Sequence, residues 1–211
     1  MVIRRVTPLP LTSAGRAEQD VPDWSDRELV TAVTARDPRA GLALYDRLIR
    51  VVEWTILRVS GQRSTDHEDL VQSAFEQIVV TLFKRRYTHD CSLTSWASAI
   101  SCHVALNALR NRRKRRVLYS DAALREEPAG RPDLENQLAA RQALERIRNE
   151  LACMNRDRAE ILVLHELNGL ELSEIARVLG ISVTAAQSRL SRGRRELLAR
   201  LDRSPGRRDG P

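Results

Sequence analysis

Residues 169–198, GLELSEIARVLGISVTAAQSRLSRGRRELL, decide the fold of the C-terminal part of the chain. Apolar residues recur there at helical spacing from Leu172 to Leu179, and Gly180 follows at a position that suits the end of a helix. Ser182 is a suitable N-cap for a second helix, about residues 183–200, because its hydroxyl can accept a bond from a free backbone N–H. Two short helices joined through a buried Ile181 predict a helix-turn-helix.

The second of these helices is predicted to have one apolar and one polar, basic face. Its buried residues are expected to be Val183, Ala186, Leu190, Leu197 and Leu198. Its polar face comprises Ser182, Thr184, Gln187, Ser188, Arg189, Ser191, Arg192, Arg194 and Arg195. Glutamine and arginine offer paired donors to base edges, while serine, threonine and further arginines reach phosphates. A solvated amphipathic helix is the alternative, but it leaves the turn unexplained, so we favour DNA recognition.

Composition points to the same kind of partner. The 211 residues carry a formal net charge of +7, with a pI near 10.1, and such a balance favours a polyanion. Only Lys84 and Lys114 among the 35 basic residues are lysines. A preference for arginine over lysine suits contacts with phosphate and guanine. Codon bias in a GC-rich genome is the alternative explanation, because it produces the same preference without any functional role.

The sequence argues against a metalloprotein and a membrane protein. The three cysteines, Cys91, Cys102 and Cys153, are scattered and form no disulfide framework. His89 and His103 flank two of them, but the tight paired spacing of zinc ligands is missing, so we expect buried thiols, no metal and no cofactor. The chain has no run of about 18 apolar residues and no apolar core of signal-peptide type near its start, which predicts a cytoplasmic protein.

Helical periodicity without strand-type alternation predicts an all-α fold of two small domains joined by a flexible linker. We predict a disordered lead at 1–22, a helical domain at 23–116, a linker at 117–134, the helix-turn-helix domain at 135–201 and a loose tail at 202–211. Ser25 with Glu28, and Thr65 with Glu68, have the spacing of capping boxes. The helix after Pro38 is expected to bury Leu42, Leu44, Tyr45, Leu48, Ile49, Val52 and Ile56.

Two further helices of the first domain carry strong charge. The helix that follows Thr65 presents Asp66, Glu68, Asp69, Gln72 and Glu76, more acid than its dipole needs, which indicates either a basic partner or a solvated helix start. The next helix begins near Leu93 and ends in six cations within seven residues, which repel one another unless an anion screens them. These cations are Arg110, Arg112, Arg113, Lys114, Arg115 and Arg116. Earlier in this helix, His103 and Asn107 can reach bases, and Trp96 can stack a base or pack in the core.

In this order, the segments resemble bacterial RNA polymerase sigma factors of the extracytoplasmic-function group, over about residues 23–201. DHEDLVQSAF at 66–75 is similar to the family's D-x-E-D-x-x-Q-x-x-F segment, SLTSW at 92–96 opens the helix that captures the −10 element, and residues 155–197 resemble the domain that reads the −35 element. The resemblance implies core-polymerase binding by Asp66, Glu68, Asp69, Leu70, Gln72 and Phe75. It implies −10 binding by Trp96, His103, Asn107, Arg110, Arg112, Arg113, Lys114, Arg115 and Arg116. It implies −35 binding by Ser182, Thr184, Gln187, Ser188, Arg189, Ser191, Arg192 and Arg195.

Departures from the family pattern bear on promoter choice. Asn107 stands where many members have Asp, Gln187 where Lys or Arg is common, and Ser191 where an aromatic residue or His is common.

The resemblance implies a non-enzymatic subunit whose partners are core RNA polymerase, promoter DNA and an anti-sigma factor, often a membrane-bound one. A stand-alone helix-turn-helix regulator is the alternative, but it has no use for the acidic helix. A DNA-processing enzyme is disfavoured because neither a carboxylate cluster nor a nucleophile set is visible.

Overall fold

The computed structural model describes residues 23–61, 66–118 and 132–203, which form helices and contain no strand. The helices are α1 (Asp26–Thr34), α2 (Pro38–Ser60), α3 (His67–Phe83), α4 (Leu93–Leu118), α5 (Pro132–Cys153), α6 (Arg156–Leu162), α7 (Leu172–Leu179) and α8 (Val183–Arg203). The all-α prediction is confirmed. The predicted lead at 1–22, Thr65, residues 119–131 of the predicted linker and residues 204–211 of the predicted tail lie outside the described residues.

Local capping fixes where the first helices begin. The Ser25 hydroxyl accepts a bond from the Glu28 N–H, and the Glu28 carboxylate accepts one from the Ser25 N–H, so the first predicted capping box is present. Asp37 caps α2 by accepting a bond from the Arg39 N–H at 2.9 Å. Helix α3 begins one residue later than Thr65 predicts, with Asp66 at its N-cap and no side-chain cap bond.

Helix α4 lies in the middle of the molecule. It packs against α2 and α3 of the N-terminal helical unit (α1–α4) and against α5, α6 and α7 of the C-terminal helical unit (α5–α8). Small residues such as Ala97, Ser98, Ser101 and Ala105 are buried along it and let neighbouring helices approach closely. A helix buried on all sides carries little amphipathic pattern, because every face meets another helix. The two units therefore share one continuous core around α4.

The helix-turn-helix forms as the sequence predicts. Gly180 ends α7 with a positive φ of 64°, a conformation that costs glycine no Cβ clash. The Ser182 hydroxyl then accepts a bond from the Ala185 N–H at 3.1 Å and caps α8. Ile181, which we expected to be buried, is only half-buried.

Some residues assigned to the core lie at the surface instead. On α8, Ala186 and Leu190 are buried, whereas Val183 and Leu198 are 50% and 61% exposed. Helix α8 contacts α6 at Gly193. Val183, the first residue of α8, lies before this contact, and Leu198 points away from it. On α2, Leu42 and Tyr45 are 54% and 40% exposed, and the Tyr45 ring contacts Phe75 of α3 at the surface.

Gly193 provides a test of the α6–α8 crossing. A Cβ there would lie 3.2 Å from the Arg158 carbonyl oxygen and from the Leu162 side chain. We expect Gly193→Leu to lower the free energy of unfolding by about 1–3 kcal/mol, because a larger side chain overpacks the contact. Gly41→Ala is the matched control, since nothing lies within 4 Å of its Cβ position, and it should stabilise by about 0.5–1 kcal/mol. Urea unfolding measures both; equal effects of the two substitutions would contradict the packing.

Candidate nucleic-acid and protein interfaces

The polar residues predicted to bind polymerase lie together on the surface of α3. Asp66, Glu68 and Asp69 are exposed at its N-terminal end. Gln72 is exposed one turn later and its side-chain amide donates to Glu76 at 3.1 Å, which holds both side chains in one orientation. The two apolar members of the predicted set, Leu70 and Phe75, are half-buried beneath this face.

An apolar groove adjoins this acidic face. It has a volume of about 1160 Å³ and lies between α1, α2 and α3. Its lining includes Leu44, Tyr45, Phe75 and Phe83, and the rings of Tyr45 and Phe75 are 4.9 Å apart. Exposed aromatic residues rimmed by charge are typical of protein-binding surfaces. The sequence alone does not predict this groove, because Tyr45 fits the helical stripe of α2 equally well as a core residue.

The groove also includes His67, with Trp54 beside it, and no sequence motif indicated either residue. His67 lines the groove with only 7% of its surface exposed, and its buried Nδ1 has no hydrogen-bond partner in the structure. A buried polar atom without a partner is costly, so a bound partner that supplies a hydrogen bond would gain affinity there. Trp54 is 50% exposed beside it, with the Arg58 guanidinium 4.3 Å from its ring centre.

The basic end of α4 is open to solvent. Arg113, Lys114 and Arg115 are exposed, Arg112 is half-buried, and the side chain of Arg116 is not among those described. The Nη2 atom of Arg112 lies 3.8 Å from the Asp66 carboxylate, so the anionic and cationic surfaces meet there. Arg110, Arg113 and Lys114 line a cavity of about 570 Å³ beside α5. A buried Nη2 of Arg110 has no partner in the structure.

The predicted base-reading part of α4 is covered. Trp96 is only 8% exposed and packs against the Tyr87 ring, 5.1 Å between centres, so in this conformation it belongs to the core. His103 and Asn107 are half-buried, and His103 contacts Arg156 of α6. Burial, and then the Arg156 guanidinium, hold the pKa of His103 below its ordinary value. His103 thus contacts a residue of the C-terminal helical unit.

The predicted reading face of α8 is largely free. Thr184, Gln187, Ser191, Arg192 and Arg195 are exposed, as is the cap residue Ser182, whereas Ser188 and Arg189 are half-buried. Arg189 pairs with Asp157 of α6 at 3.2 Å. Such exposed ion pairs contribute about 0–1 kcal/mol, so they exchange readily for a phosphate.

Asp26 positions the start of α4 from a distance in sequence. One of its carboxylate oxygens accepts the backbone N–H of Leu93 at 2.8 Å, and the other pairs with Arg47 at 3.1 Å. Leu93 is fully buried, so this N–H depends on that carboxylate. Nothing in the sequence indicated this contact, because Asp26 and Leu93 are 67 positions apart.

The cysteines are separate thiols in protected surroundings. Burial raises the pKa of Cys91 and Cys153 and raises that of fully buried Cys102 well above its ordinary value. Among the described residues, no three histidine, cysteine or acidic side chains converge as a metal site. None of the described helices is both long and apolar enough to cross a membrane.

Comparison with known proteins agrees with this arrangement. The family description "Sigma-70 region 2" matches residues 44–115, and "Sigma-70, region 4" matches residues 144–197. RNA polymerase sigma factor CnrH of Cupriavidus metallidurans is 31% identical over 187 residues, which cover 86% of this chain and 96% of that protein. ECF RNA polymerase sigma factor SigC of Mycobacterium tuberculosis is 26% identical over 177 residues, covering 83% and 92%. A solved structure of CnrH with the cytosolic domain of CnrY has a TM-score of 0.51 at 27% identity, covering 84% of this chain and 97% of that one.

A helical chain with an acidic face, a basic helix and a helix-turn-helix belongs to the transcription proteins that bind DNA. Within that class, the two regional matches and the likeness to CnrH are specific. The chain belongs to the sigma-70 family of RNA polymerase sigma factors, in its extracytoplasmic-function group. It is a sigma factor that directs transcription initiation at promoters.

Asp26→Ala tests how the start of α4 is held. We expect it to lower the free energy of unfolding by about 1–3 kcal/mol, because the buried Leu93 N–H loses its acceptor. Asp46→Ala, an exposed acid in α2, is the matched control and should change stability by less than about 0.5 kcal/mol. Urea unfolding followed by circular dichroism compares the two. Equal stability of the two variants would contradict the assigned role.

Thiol labelling tests the surroundings of the cysteines. Since a thiol reacts as the thiolate, raised pKa values predict slow labelling by a disulfide reagent at pH 7 and faster labelling as the pH rises. We expect Cys91 and Cys153 to react in the native protein, and Cys102 only after unfolding in guanidinium. Mass spectrometry of the labelled peptides identifies each site. Labelling of native Cys102 at the rate of free cysteine would contradict its burial.

Proposed function

We propose that this sigma factor grips core RNA polymerase with α3 and the adjoining groove, binds the −10 element with α4 and binds the −35 element with α8. Separation of charge carries this proposal. Exposed Asp66, Glu68 and Asp69 lie on one helix, whereas the cations lie at the end of α4 and along α8. Each surface thus favours a partner of the opposite sign.

The polymerase surface combines two features that protein partners use. The acidic side chains on α3 favour a basic helix or loop and keep nucleic acid away from the same face. The groove beside them offers an apolar floor that includes Tyr45, Phe75 and Phe83. Aromatic residues in a pocket supply most of the binding energy at such interfaces, and surrounding charges supply orientation. We therefore assign to polymerase docking both the predicted α3 residues and this groove.

The two proposed DNA-binding surfaces, on α4 and on α8, suit different elements of the promoter. The cations from Arg110 to Arg116 suit the phosphates near the −10 element, and His103 and Asn107 suit its bases. The α8 residues Gln187, Arg189 and Arg192 suit the major groove of the −35 duplex. The departures at Asn107, Gln187 and Ser191 are expected to set a promoter preference of this protein's own.

We also propose where this protein acts and which kind of partner controls it. We propose a non-enzymatic cytoplasmic subunit that needs no cofactor and is held in check by an anti-sigma factor, which the family resemblance places at the membrane in many members. The similarity to CnrH supports this, because that protein is found in complex with the cytosolic domain of CnrY. The open groove between α1 and α3 is a suitable surface for such a partner as well as for polymerase.

Run-off transcription with purified core polymerase on a genomic promoter library tests the main proposal. We expect initiation to require this protein. We expect Asp69→Ala to weaken core binding about tenfold without changing the melting temperature, because Asp69 is exposed and faces the proposed partner. Asp202→Ala removes an equal charge from an exposed site at the end of α8 and serves as the control. Tight operator binding without core, together with no initiation, would favour a stand-alone regulator instead.

Gln187→Ala tests the assignment of α8. Loss of a bidentate contact to one base should relax selection at one position of the −35 element, at a cost of about 1–3 kcal/mol for the preferred base. Sequencing of transcripts from a randomised −35 library measures this, while core binding is expected to stay unchanged. Unaltered selection at every −35 position would contradict a base contact by Gln187.

A further inference from the structure

We propose that residues 2–11 of this chain bind in the apolar groove between α1, α2 and α3 and compete there with polymerase. Binding in the groove is argued from the lining of the groove and from the sequence of the segment. Competition rests, in addition, on the proposed assignment of this groove to polymerase. The proposal gives a function to part of the N-terminal lead, for which the family pattern has no use.

The groove has the length of a short extended peptide. Its lining on α3 reaches from His67 to Phe83, the first and last residues of that helix. This stretch of helix is about 24 Å long, because an α-helix rises 1.5 Å per residue. Residues 3–11 span about 26 Å when the chain is extended. One segment can therefore cover the groove from end to end.

The sequence of the segment, MVIRRVTPLPL at 1–11, is apolar and basic and contains no acidic residue. Its aliphatic residues after Met1 are Val2, Ile3, Val6, Leu9 and Leu11. Such side chains suit a groove floor that includes the rings of Tyr45 and Phe75, because burial there removes apolar surface from water. Pro8 and Pro10 have a fixed φ, so the segment loses less conformational entropy when it binds.

The charge around the groove favours a cationic segment. The charged residues of its lining, apart from His67, are Arg36, Asp37, Glu53 and Glu68. The guanidinium of Arg36 lies 5.9 Å from the centre of the Phe83 ring, so the acids face a segment that brings Arg4 and Arg5. A second copy of the protein would bring its own acidic α3 face against this one, so charge disfavours a symmetric dimer at the groove.

His67 supplies a polar anchor in this otherwise apolar site. It is only 7% exposed, and its buried Nδ1 has no hydrogen-bond partner among the described residues. An extended segment carries a backbone N–H at every residue other than proline, and Thr7 adds a hydroxyl. Either group can donate to the ring nitrogen. Binding of residues 2–11 thus satisfies an atom that is costly to leave without a partner.

The chain connecting this segment to α1 is long enough to reach the groove. The Trp24 carbonyl accepts a bond from Arg47 of α2 at 2.8 Å, and Tyr45 of the groove lies two positions before Arg47. Residues 12–22 span up to about 36 Å, which exceeds the length of the groove. A short tether gives an effective concentration in the millimolar range. A segment with a Kd of only about 1 mM therefore fills the groove about half of the time.

Disulfide trapping in the full chain tests where the segment lies. Thr7→Cys places a thiol in the segment, and Gly41→Cys places one in the groove lining, where nothing lies within 4 Å of the Cβ position. Cys91 and Cys153 are replaced by serine. We expect mild oxidation to join the two thiols within one chain about tenfold faster than it joins Thr7→Cys to Ala199→Cys, an exposed site in α8, because only cysteines within about 7 Å can pair.

Two double substitutions show whether the apolar side chains hold the segment. Val6→Ser with Leu9→Ser should slow the groove cross-link to the rate of the α8 pair, because it removes apolar contacts. Ala14→Ser with Ala17→Ser, in the tether, is the matched control and should leave the rate unchanged. Equal rates for the groove pair and the α8 pair would overturn the proposal. So would a product that is only a disulfide-linked dimer on electrophoresis, since the occupant would then be a second copy.

Titration of core polymerase tests the competition. When only a fraction of a protein is competent to bind, the apparent affinity falls by that fraction. We therefore expect Val6→Ser with Leu9→Ser to bind core about two- to tenfold more tightly than wild type, and the tether control to bind as wild type does. An affinity that stays equal or falls when the cross-link is lost would overturn the competition. Failure of wild type to bind core at all would overturn the proposed function, while the cross-linking still decides whether the segment lies in the groove.

Discussion

The burial of α4 on all sides is the constraint on which the rest of this structure depends. From Leu93 to Leu109 this helix meets α2 and α3 on one side and the C-terminal helical unit on the other. Small side chains such as Ser98 and Ser101 make that double contact sterically possible. Because one helix supplies core to both units, any movement between them exposes the helix that is assigned to the −10 element.

Charges of opposite sign lie on different helices around α4. The acidic face lies on α3, and the exposed cations lie beyond the buried part of α4 and along α8. Where the two signs meet, they form pairs such as Arg112 with Asp66 and Arg189 with Asp157. These pairs are exposed enough to be individually weak, so a polyanion or a polymerase surface can replace them.

The family matches and the contacts seen in the structure are consistent with each other. The region 2 and region 4 matches fall within the N-terminal and C-terminal helical units, respectively. They agree with the likeness to CnrH, which extends over 96% of that protein. The geometry adds features that family membership alone leaves open. They include the unpartnered His67 nitrogen in the docking groove, the cap that Asp26 provides to α4 and the contact of Glu174 with Ser95.

What the sequence determined by itself was mostly local. Ser25 and Glu28 made a capping box, Gly180 and Ser182 made the turn of the helix-turn-helix, and helical periodicity established the all-α class, because each depends on residues a few positions apart. Tertiary structure alone decided which apolar residues are core. Tyr45, Val183 and Leu198 fit a helical stripe but lie at the surface, because the position of the neighbouring helices decides which residues of a stripe are covered. It also decided that Trp96 is buried and that His103 contacts Arg156 of the C-terminal unit, because a contact between residues more than 50 positions apart leaves no periodic signal in the chain.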